Sequence, residues 1–208
     1  HPGPGGPAQV GLMIYWLYER LLRRRLTLLP EHLCFMITEQ DMMDAPGKIA
    51  EVSGWCREVG IQGVTFHIST RNAARIDPFL PFICRVAEFA RLELRGGDRD
   101  EVMGEGMHVQ VAIGHSGREE STGCIRRMAE DGIDPDTVNE DLIDSYLTFR
   151  YTPDLVIKTG GSHLTDFLIW QSVYSELFCT DVNWRLFRKV DFLRALRDYQ
   201  SRKRRFGT

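Results

Sequence analysis

The chain has 208 residues, 43% of them hydrophobic and 26% charged, which is enough apolar sequence for one domain with a single core. Its net charge of −3 argues against nucleic acid as a partner, because such proteins usually carry an overall basic surface. Five scattered cysteines without a CxxC motif argue against a disulfide framework or a zinc site, and they predict a reducing, cytoplasmic location.

The first predicted helix follows a short lead-in. Residues 1–9 are rich in glycine and proline and predict a disordered segment or a tag, which leaves 10–208 as one domain. From Val10 to Leu26 apolar residues recur at helical spacing, and Arg23, Arg24 and Arg25 lie near the end of this helix. Such an amphipathic helix is compatible with a peripheral position on an anionic membrane, or with packing on its own domain or a partner.

Short apolar runs and segments of helical period alternate along the rest of the chain. The predicted strands cover 33–37, 63–69, 107–113 and 154–157. The predicted helices cover 48–59, 78–94, 119–130, 139–146, 164–177 and 190–205. This alternation predicts an α/β fold, with a mostly parallel central sheet and helices on both faces. Ligands of such sheets bind at the carboxyl ends of the strands, so the segments TEQD, STRN, GHSGRE and KTGGSH are the candidates for chemistry.

These segments resemble motifs of the cis-prenyltransferase family, which includes undecaprenyl diphosphate synthase. Residues 154–184 resemble the family sequence DLVIRTGG, RLSNFLLWQ and YAELYFTDVLW, and RRFG near the end matches its RxG signature. GHSGRE and STRN are similar to the family's NYGGR and FSTEN, and IYWLYERLL before PEHLCFMI resembles archaeal members. The resemblance implies a cis-prenyltransferase-like fold and the Mg²⁺-dependent transfer of isopentenyl diphosphate units to an allylic diphosphate.

The first strand departs from the family pattern where it ends. Active members have DGN there, and its Asp binds magnesium, whereas this chain has Thr38, Glu39 and Gln40. Threonine is a neutral hydroxyl and a poor ligand for Mg²⁺, which prefers carboxylates. Asp41 is close by but in a different register, and the Arg-rich segment that follows DGN in the family is much shorter here.

Other family positions are partly retained. Lys158 replaces the Arg of RTGG and keeps the charge without the bidentate fork, and His163 replaces the Arg of RLSNF. Glu176 stands at the family's second magnesium-binding acid, and Arg118 follows a predicted strand. The family's RxG tail, which completes the neighbouring subunit's site, is retained as Arg205, Phe206 and Gly207.

The joint pattern favours a non-catalytic subunit, similar to the accessory subunit of heteromeric dehydrodolichyl diphosphate synthase. It would pair with a DGN-containing catalytic subunit that binds Mg²⁺ and makes a long-chain polyprenyl diphosphate of the dolichol type. This chain would supply its RxG tail to the partner, would hold no metal itself apart from Glu176 as a candidate ligand, and could homodimerise alone. One alternative is a self-sufficient homodimeric enzyme that uses Asp41, Glu176, Lys158 and Arg118. The other is a prenyl-lipid-binding protein.

Overall fold

The computed structural model describes residues 7–114, 117–147, 151–161 and 170–202, with side chains from Trp16 onward. Its strands are β1 (His32–Thr38), β2 (Gly63–Ser69), β3 (Arg91–Gly96), β4 (Arg99–Met103), β5 (His108–Ile113), β6 (Leu155–Thr159) and β7 (Glu176–Thr180). Its α-helices are α1 (Pro7–Arg24), α2 (Glu39–Asp44), α3 (Lys48–Val59), α4 (Leu80–Cys84), α5 (Gly117–Glu130), α6 (Glu140–Tyr146) and α7 (Lys189–Ser201). Within the described ranges, no helix is both long enough and apolar enough to cross a bilayer.

The seven strands form one sheet in the order β4-β3-β5-β2-β1-β6-β7. Every neighbouring pair is parallel except β3 and β4, which form an antiparallel hairpin at one edge. The predicted fold class is therefore confirmed. The four predicted strands correspond to β1, β2, β5 and β6, which occupy the centre of the sheet and are buried on both faces.

The predicted long helix over 78–94 is wrong. The chain there forms a 3-10 segment at Ala73–Phe79, the short helix α4, a second 3-10 segment at Arg85–Glu88 and then strand β3. Pro78 and Pro81 interrupt regular helical hydrogen bonding in this segment. Leu92 and Leu94 alternate inward with period two, and Gly96 and Gly97, both with positive φ, turn the chain back into β4.

Three other predicted boundaries differ from the structure. Helix α1 begins at Pro7, so residues 7–9 of the predicted lead-in are helical, in keeping with the preference for proline in the first helical turn. The helix predicted over 164–177 is wrong throughout its described part, because residues 170–174 form turns and β7 begins at Glu176 and pairs with β6. Residues 162–169 lie outside the described ranges. Helix α7 ends at Ser201 rather than at 205.

One face of the sheet carries the main core. Phe35, at the middle of β1, is completely buried and lies 5.4 Å from Phe66 and 5.8 Å from Trp184, measured between ring centroids. Phe187 and Phe192 complete this aromatic cluster at 6.0 and 6.4 Å from Phe35. The cluster joins the centre of the sheet to the segment that leads into α7, so the fold depends on it.

The opposite face of the sheet is polar at the amino ends of the strands. His32 at the start of β1 lies with Nε2 2.8 Å from the Thr65 hydroxyl, and its ring stacks on Tyr151 at 4.9 Å. The Thr65 hydroxyl in turn lies 3.4 Å from the amide oxygen of Gln110. Burial lowers the pKa of His32 to about 4, against the opposing effect of Asp154.

This buried histidine predicts a pH dependence of stability. In the unfolded chain the pKa of His32 has its ordinary value of about 6.5. Between pH 6.5 and about pH 4 the unfolded state therefore binds a proton that the folded state does not. The free energy of unfolding is therefore expected to fall by about 3 kcal/mol as the pH is lowered through this window. Denaturant titrations at several pH values should show it, and His32→Gln should remove that part of the slope. An unchanged slope in the variant would contradict the assignment.

Candidate functional site

The sheet topology brings four strand ends to one edge. Thr38 of β1 pairs with Ser69 of β2, and Ile113 of β5 pairs with Ile68 one residue earlier on β2. Thr159, the last residue of β6, follows Lys158, which pairs with Met36 of β1. The segments after β1, β2, β5 and β6 thus start from the same edge, as the sequence predicts for a parallel sheet.

Thr38 and Asp41 form a closed hydrogen-bonded unit at the end of β1. The backbone N–H and the hydroxyl of Thr38 both donate to Oδ2 of Asp41, each at 2.8 Å. The backbone N–H of Asp41 donates back to the Thr38 hydroxyl at 3.2 Å. This capping box starts α2, so the polar stretch after β1 is a short helix. The Asp41 carboxylate therefore stabilises the start of α2, and its Oδ2 already accepts two hydrogen bonds.

Glu39 is held by residues from the next strand end. Its Oε2 accepts from the hydroxyl of Thr70 at 2.7 Å, and its Oε1 pairs with Nη2 of Arg75 at 2.8 Å. Thr70 follows β2 directly, and Arg75 lies in the 3-10 segment that Asn72 caps. The glutamate side chain is only 19% exposed, so its carboxylate is largely covered by these partners.

The described residues at and just after the end of β6 use their donors within the chain. The ammonium of the buried Lys158 donates to the carbonyl of Thr159 at 2.7 Å. Gly160 and Gly161 have positive φ values of 72° and 112°, which glycine adopts readily. Their N–H groups donate to the carbonyls of Val182 and Thr180 at 3.0 and 3.1 Å. These two backbone donors therefore join the chain after β6 to the last residue of β7 and to Val182, and they are not directed at a ligand.

Of the other predicted site residues, one lies at the carboxyl ends of the strands and one at their amino ends. Arg118 is exposed in the first turn of α5, after β5, and so belongs to the same edge as Thr38. Glu176 begins β7 and pairs with Leu155, so it lies at the opposite edge and is not brought together with Asp41. Nη1 of Arg202 contacts its carboxylate at 3.1 Å. The remaining four candidates, His163, Arg205, Phe206 and Gly207, lie outside the described ranges.

The two carboxylates described at the end of β1 do not fit a magnesium ion. The part of the chain that the structure describes contains no group of three or more Asp, Glu, His or Cys residues that could hold a metal. At the end of β1 the neutral Thr38 donates its hydroxyl hydrogen to Asp41, and Glu39 is already neutralised by Arg75. Mg²⁺ is usually held by one or two carboxylates together with phosphate oxygens and waters. Here the carboxylates of Asp41 and Glu39 both have other partners.

Asp41→Ala is expected to lower the free energy of unfolding by about 1–2 kcal/mol, because it removes the capping box and leaves the Thr38 N–H without its acceptor. Chemical denaturation measures this loss. Asp44→Ala is the matched control, since Asp44 is exposed and accepts one bond from Gln40 in the same helix. If Asp41→Ala left stability unchanged, the capping role would be refuted.

Comparisons with known proteins identify the family. The family model described as putative undecaprenyl diphosphate synthase matches residues 96–207, more than half of the chain. A short-chain Z-isoprenyl diphosphate synthase of Mycobacterium leprae is 33% identical over an alignment that covers 97% of this chain and 98% of that protein. The chain belongs to the cis-prenyltransferase family.

Two further similarities agree with this membership. A cis-prenyltransferase of Picrophilus torridus, named tritrans,polycis-undecaprenyl-diphosphate synthase (geranylgeranyl-diphosphate specific), is 35% identical over 77% of this chain and 78% of that protein. Lavandulyl diphosphate synthase from Lavandula x intermedia, solved with dimethylallyl diphosphate, superposes with a TM-score of 0.69 over 86% of this chain and 99% of that chain. At 19% identity this likeness concerns the fold alone. The matches as a group do not indicate an archaeal origin.

The Glu39–Thr70–Arg75 cluster was not predicted from the sequence. Each member stands alone in the sequence, and only the register between β1 and β2 brings them together. The sequence did contain a usable signal. Glu39 directly follows one buried strand and Arg75 comes shortly after the adjacent strand, so both lie at the same end of the parallel sheet.

Proposed function

We propose that this chain is the non-catalytic subunit of a heteromeric cis-prenyltransferase that makes a long-chain polyprenyl diphosphate of the dolichol type. The observation that carries the proposal is the closed strand end of β1. Thr38 stands where the family's metal-binding Asp is expected, Asp41 caps α2, and Glu39 is paired with Arg75. A site for two diphosphates needs free cations and a metal, whereas at the end of β1 the charges of Glu39 and Arg75 neutralise each other.

The family similarity is uneven along the chain. The family model matches from residue 96 onward, which leaves out β1, β2 and the segment between them. The alignment with the Mycobacterium leprae protein runs over 259 positions, although this chain has 208 residues, so that relative has internal segments without a counterpart here. The short connection between β1 and α3, residues 39–47, agrees with a missing diphosphate-binding segment.

The contacts of Arg202, three residues before the RxG motif, bear on where the tail begins. Arg202 donates to Glu176 at 3.1 Å and to the carbonyl of Leu177 at 2.9 Å. These contacts fix the start of the tail at the amino end of β7, which is the edge strand of the sheet. The RxG residues 205–207 follow from this point, and we propose that they complete the active site of a DGN-containing partner that binds Mg²⁺.

The remaining parts of the proposal concern assembly and location. Chains of this kind could also form homodimers in the absence of the catalytic partner. We propose a cytoplasmic location, which is supported by the five cysteines, all of which are free thiols. Burial raises the pKa of the Cys56 thiol, in keeping with a structural rather than a reactive role.

A self-sufficient homodimeric enzyme is the second candidate. It is favoured by the relatives, because the matched proteins are named as isoprenyl diphosphate synthases. In such an enzyme Asp41, Lys158 and Arg118 would act together at the carboxyl ends of the strands. Glu176 could not join them within the same subunit, because it lies at the amino ends of the strands. The capping box and the Lys158–Thr159 contact would have to open first.

A prenyl-lipid-binding protein has less structural support. Two cavities of about 550 and 720 Å³ are lined largely by polar and charged side chains, including Glu140 and Asp144 in one and Glu93 and Arg127 in the other. An apolar cavity near Cys124 has about 110 Å³, well below the roughly 300–1,000 Å³ of pockets that hold ligands of drug size, so it is too small for a polyprenyl chain.

Reconstitution of prenyl transfer tests the proposal. Labelled isopentenyl diphosphate, Mg²⁺ and a farnesyl or geranylgeranyl primer are supplied to this chain alone, to a DGN-containing homologue from the same genome alone, and to the two together. We expect long products from the mixture and none from this chain alone. Turnover by this chain alone would establish the homodimeric enzyme instead. A mixture no more active than the homologue alone would refute the subunit role.

A further inference from the structure

Helix α1 is held on the domain by one of its faces. Leu22 is buried, and the guanidinium of Arg194 on α7 lies 5.5 Å from the centre of the Tyr18 ring. Just after the helix, the backbone N–H groups of Thr27 and Leu28 donate to the side-chain oxygen of Gln200 at 2.7 and 3.1 Å. The helix is therefore fixed against α7, and its other face points away from the domain.

That other face exposes large apolar side chains. Trp16 is 56% exposed, Leu17 is 53% exposed and Leu21 is 46% exposed. Leu28, four residues beyond the end of the helix, is 49% exposed. We call these four residues, together with Arg20, Arg24 and Arg25, the outer face of α1. Four large apolar residues concentrated in one short segment form a patch, whereas scattered exposed residues would be unremarkable for a soluble surface.

The charges of the outer face are all positive. Arg20, Arg24 and Arg25 are exposed, and the Arg20 guanidinium lies 5.2 Å from the centre of the Trp16 ring. Arg23 is different, because it pairs with Glu58 at 2.7 Å on the domain. The chain as a whole has a net charge of −3, so this concentration of arginine is local. Residues 7–18 contain no charged side chain at all.

We propose that the outer face of α1 binds the surface of an anionic lipid bilayer. Tryptophan and leucine beside arginine fit the boundary between headgroups and acyl chains, where the apolar side chains enter and the guanidinium groups contact phosphates. A protein partner would have to supply a matched acidic and apolar groove, whereas a bilayer supplies both layers without specific shape. The helix lies along the surface and does not cross it. This inference is independent of whether the chain is catalytic.

Co-sedimentation of the full-length chain with vesicles tests the proposal. One set of vesicles contains phosphatidylglycerol and phosphatidylcholine in equal parts, and the other contains phosphatidylcholine alone. We expect binding to the anionic set, weakened by rising salt, and little binding to the neutral set. The triple variant Arg20→Gln, Arg24→Gln, Arg25→Gln should bind about 100-fold more weakly. The double variant Leu17→Gln, Leu21→Gln should lose on the order of 10-fold.

A matched control uses another exposed basic and apolar pair. Arg185 and Leu186 are neighbours in the 3-10 segment Trp184–Leu186, and Leu186 is 61% exposed. Arg185→Gln with Leu186→Gln should bind vesicles like the unchanged chain. Equal binding by all variants, equal binding to both vesicle sets, or no vesicle binding would each overturn the proposal. A change of oligomeric mass in Leu17→Gln, Leu21→Gln, without vesicle binding, would assign this face to a contact between copies of the chain.

Discussion

Replacing Phe35 by alanine is expected to lower the free energy of unfolding by about 4 kcal/mol. Phe35 is completely buried in the centre of β1, and its ring contacts Phe66, Trp184 and Phe187 at centroid distances of 5.4 to 6.0 Å. The substitution removes the transfer free energy of the ring and leaves a cavity that three large aromatic neighbours cannot easily fill. Urea denaturation followed by circular dichroism measures the loss.

Phe82→Ala provides the control for this core substitution. Phe82 lies in α4 and is 41% exposed. Its replacement should therefore lower the free energy of unfolding by no more than about 1 kcal/mol. Equal losses at the two positions would contradict the described core. A small loss at Phe35 would mean that the segment from Trp184 to α7 can move into the vacated space.

The centre of the sheet was predictable because its strands are short apolar runs bounded by turn residues. β1, β2, β5 and β6 are buried on both faces, so their sequences carry one uniform signal. β3 was missed because its apolar residues continue a segment that also has helical spacing. Only pairing with β5 and β4 decides between the two, and that pairing is not local in the chain.

β7 illustrates a different limit. Glu176–Thr180 is an edge strand, half-buried along its length, and its sequence ELFCT follows a stretch that reads as a continuous helix. An edge strand gains hydrogen bonds from one neighbour only, here β6, so the preference of the isolated segment is weak. Tertiary pairing then determines the outcome.

The location of the candidate site was predictable, whereas its electrostatics were not. Alternating strands and helices require that the segments after the parallel strands meet at one edge, and Thr38, Thr70, Arg118 and Lys158 do start from it. The sequence also indicated that a metal-binding Asp is absent. Glu39 follows β1, whereas its partners Thr70 and Arg75 follow β2. Whether these side chains meet depends on the register between the two strands, and the local sequence contains no information on that register.

Arg205→Ala in this chain is expected to lower kcat/KM of the reconstituted mixture by about 100-fold, the order of loss that follows removal of one donor to a developing negative charge. The reason is the anchoring of Arg202, whose guanidinium is fixed by Asp198 at 2.6 Å and by Glu176 at 3.1 Å. These contacts place Arg202 beside the start of β7, and we propose that Arg205, three residues further along the sequence, contacts a diphosphate held by a neighbouring subunit. Steady-state rates of labelled isopentenyl diphosphate incorporation measure the effect.

Arg204→Ala is the matched control, because it removes the same charge from the adjacent position outside the RxG motif. We expect it to retain most of the mixture's activity, and Arg205→Lys to fall between the two, since lysine keeps the charge without the bidentate fork. Size-exclusion chromatography of each mixture shows whether the subunits still associate, which separates a loss of assembly from a loss of diphosphate binding. Equal losses for Arg204→Ala and Arg205→Ala with intact assembly would mean that the tail acts through general charge, and the specific role of Arg205 in the partner's site would be refuted.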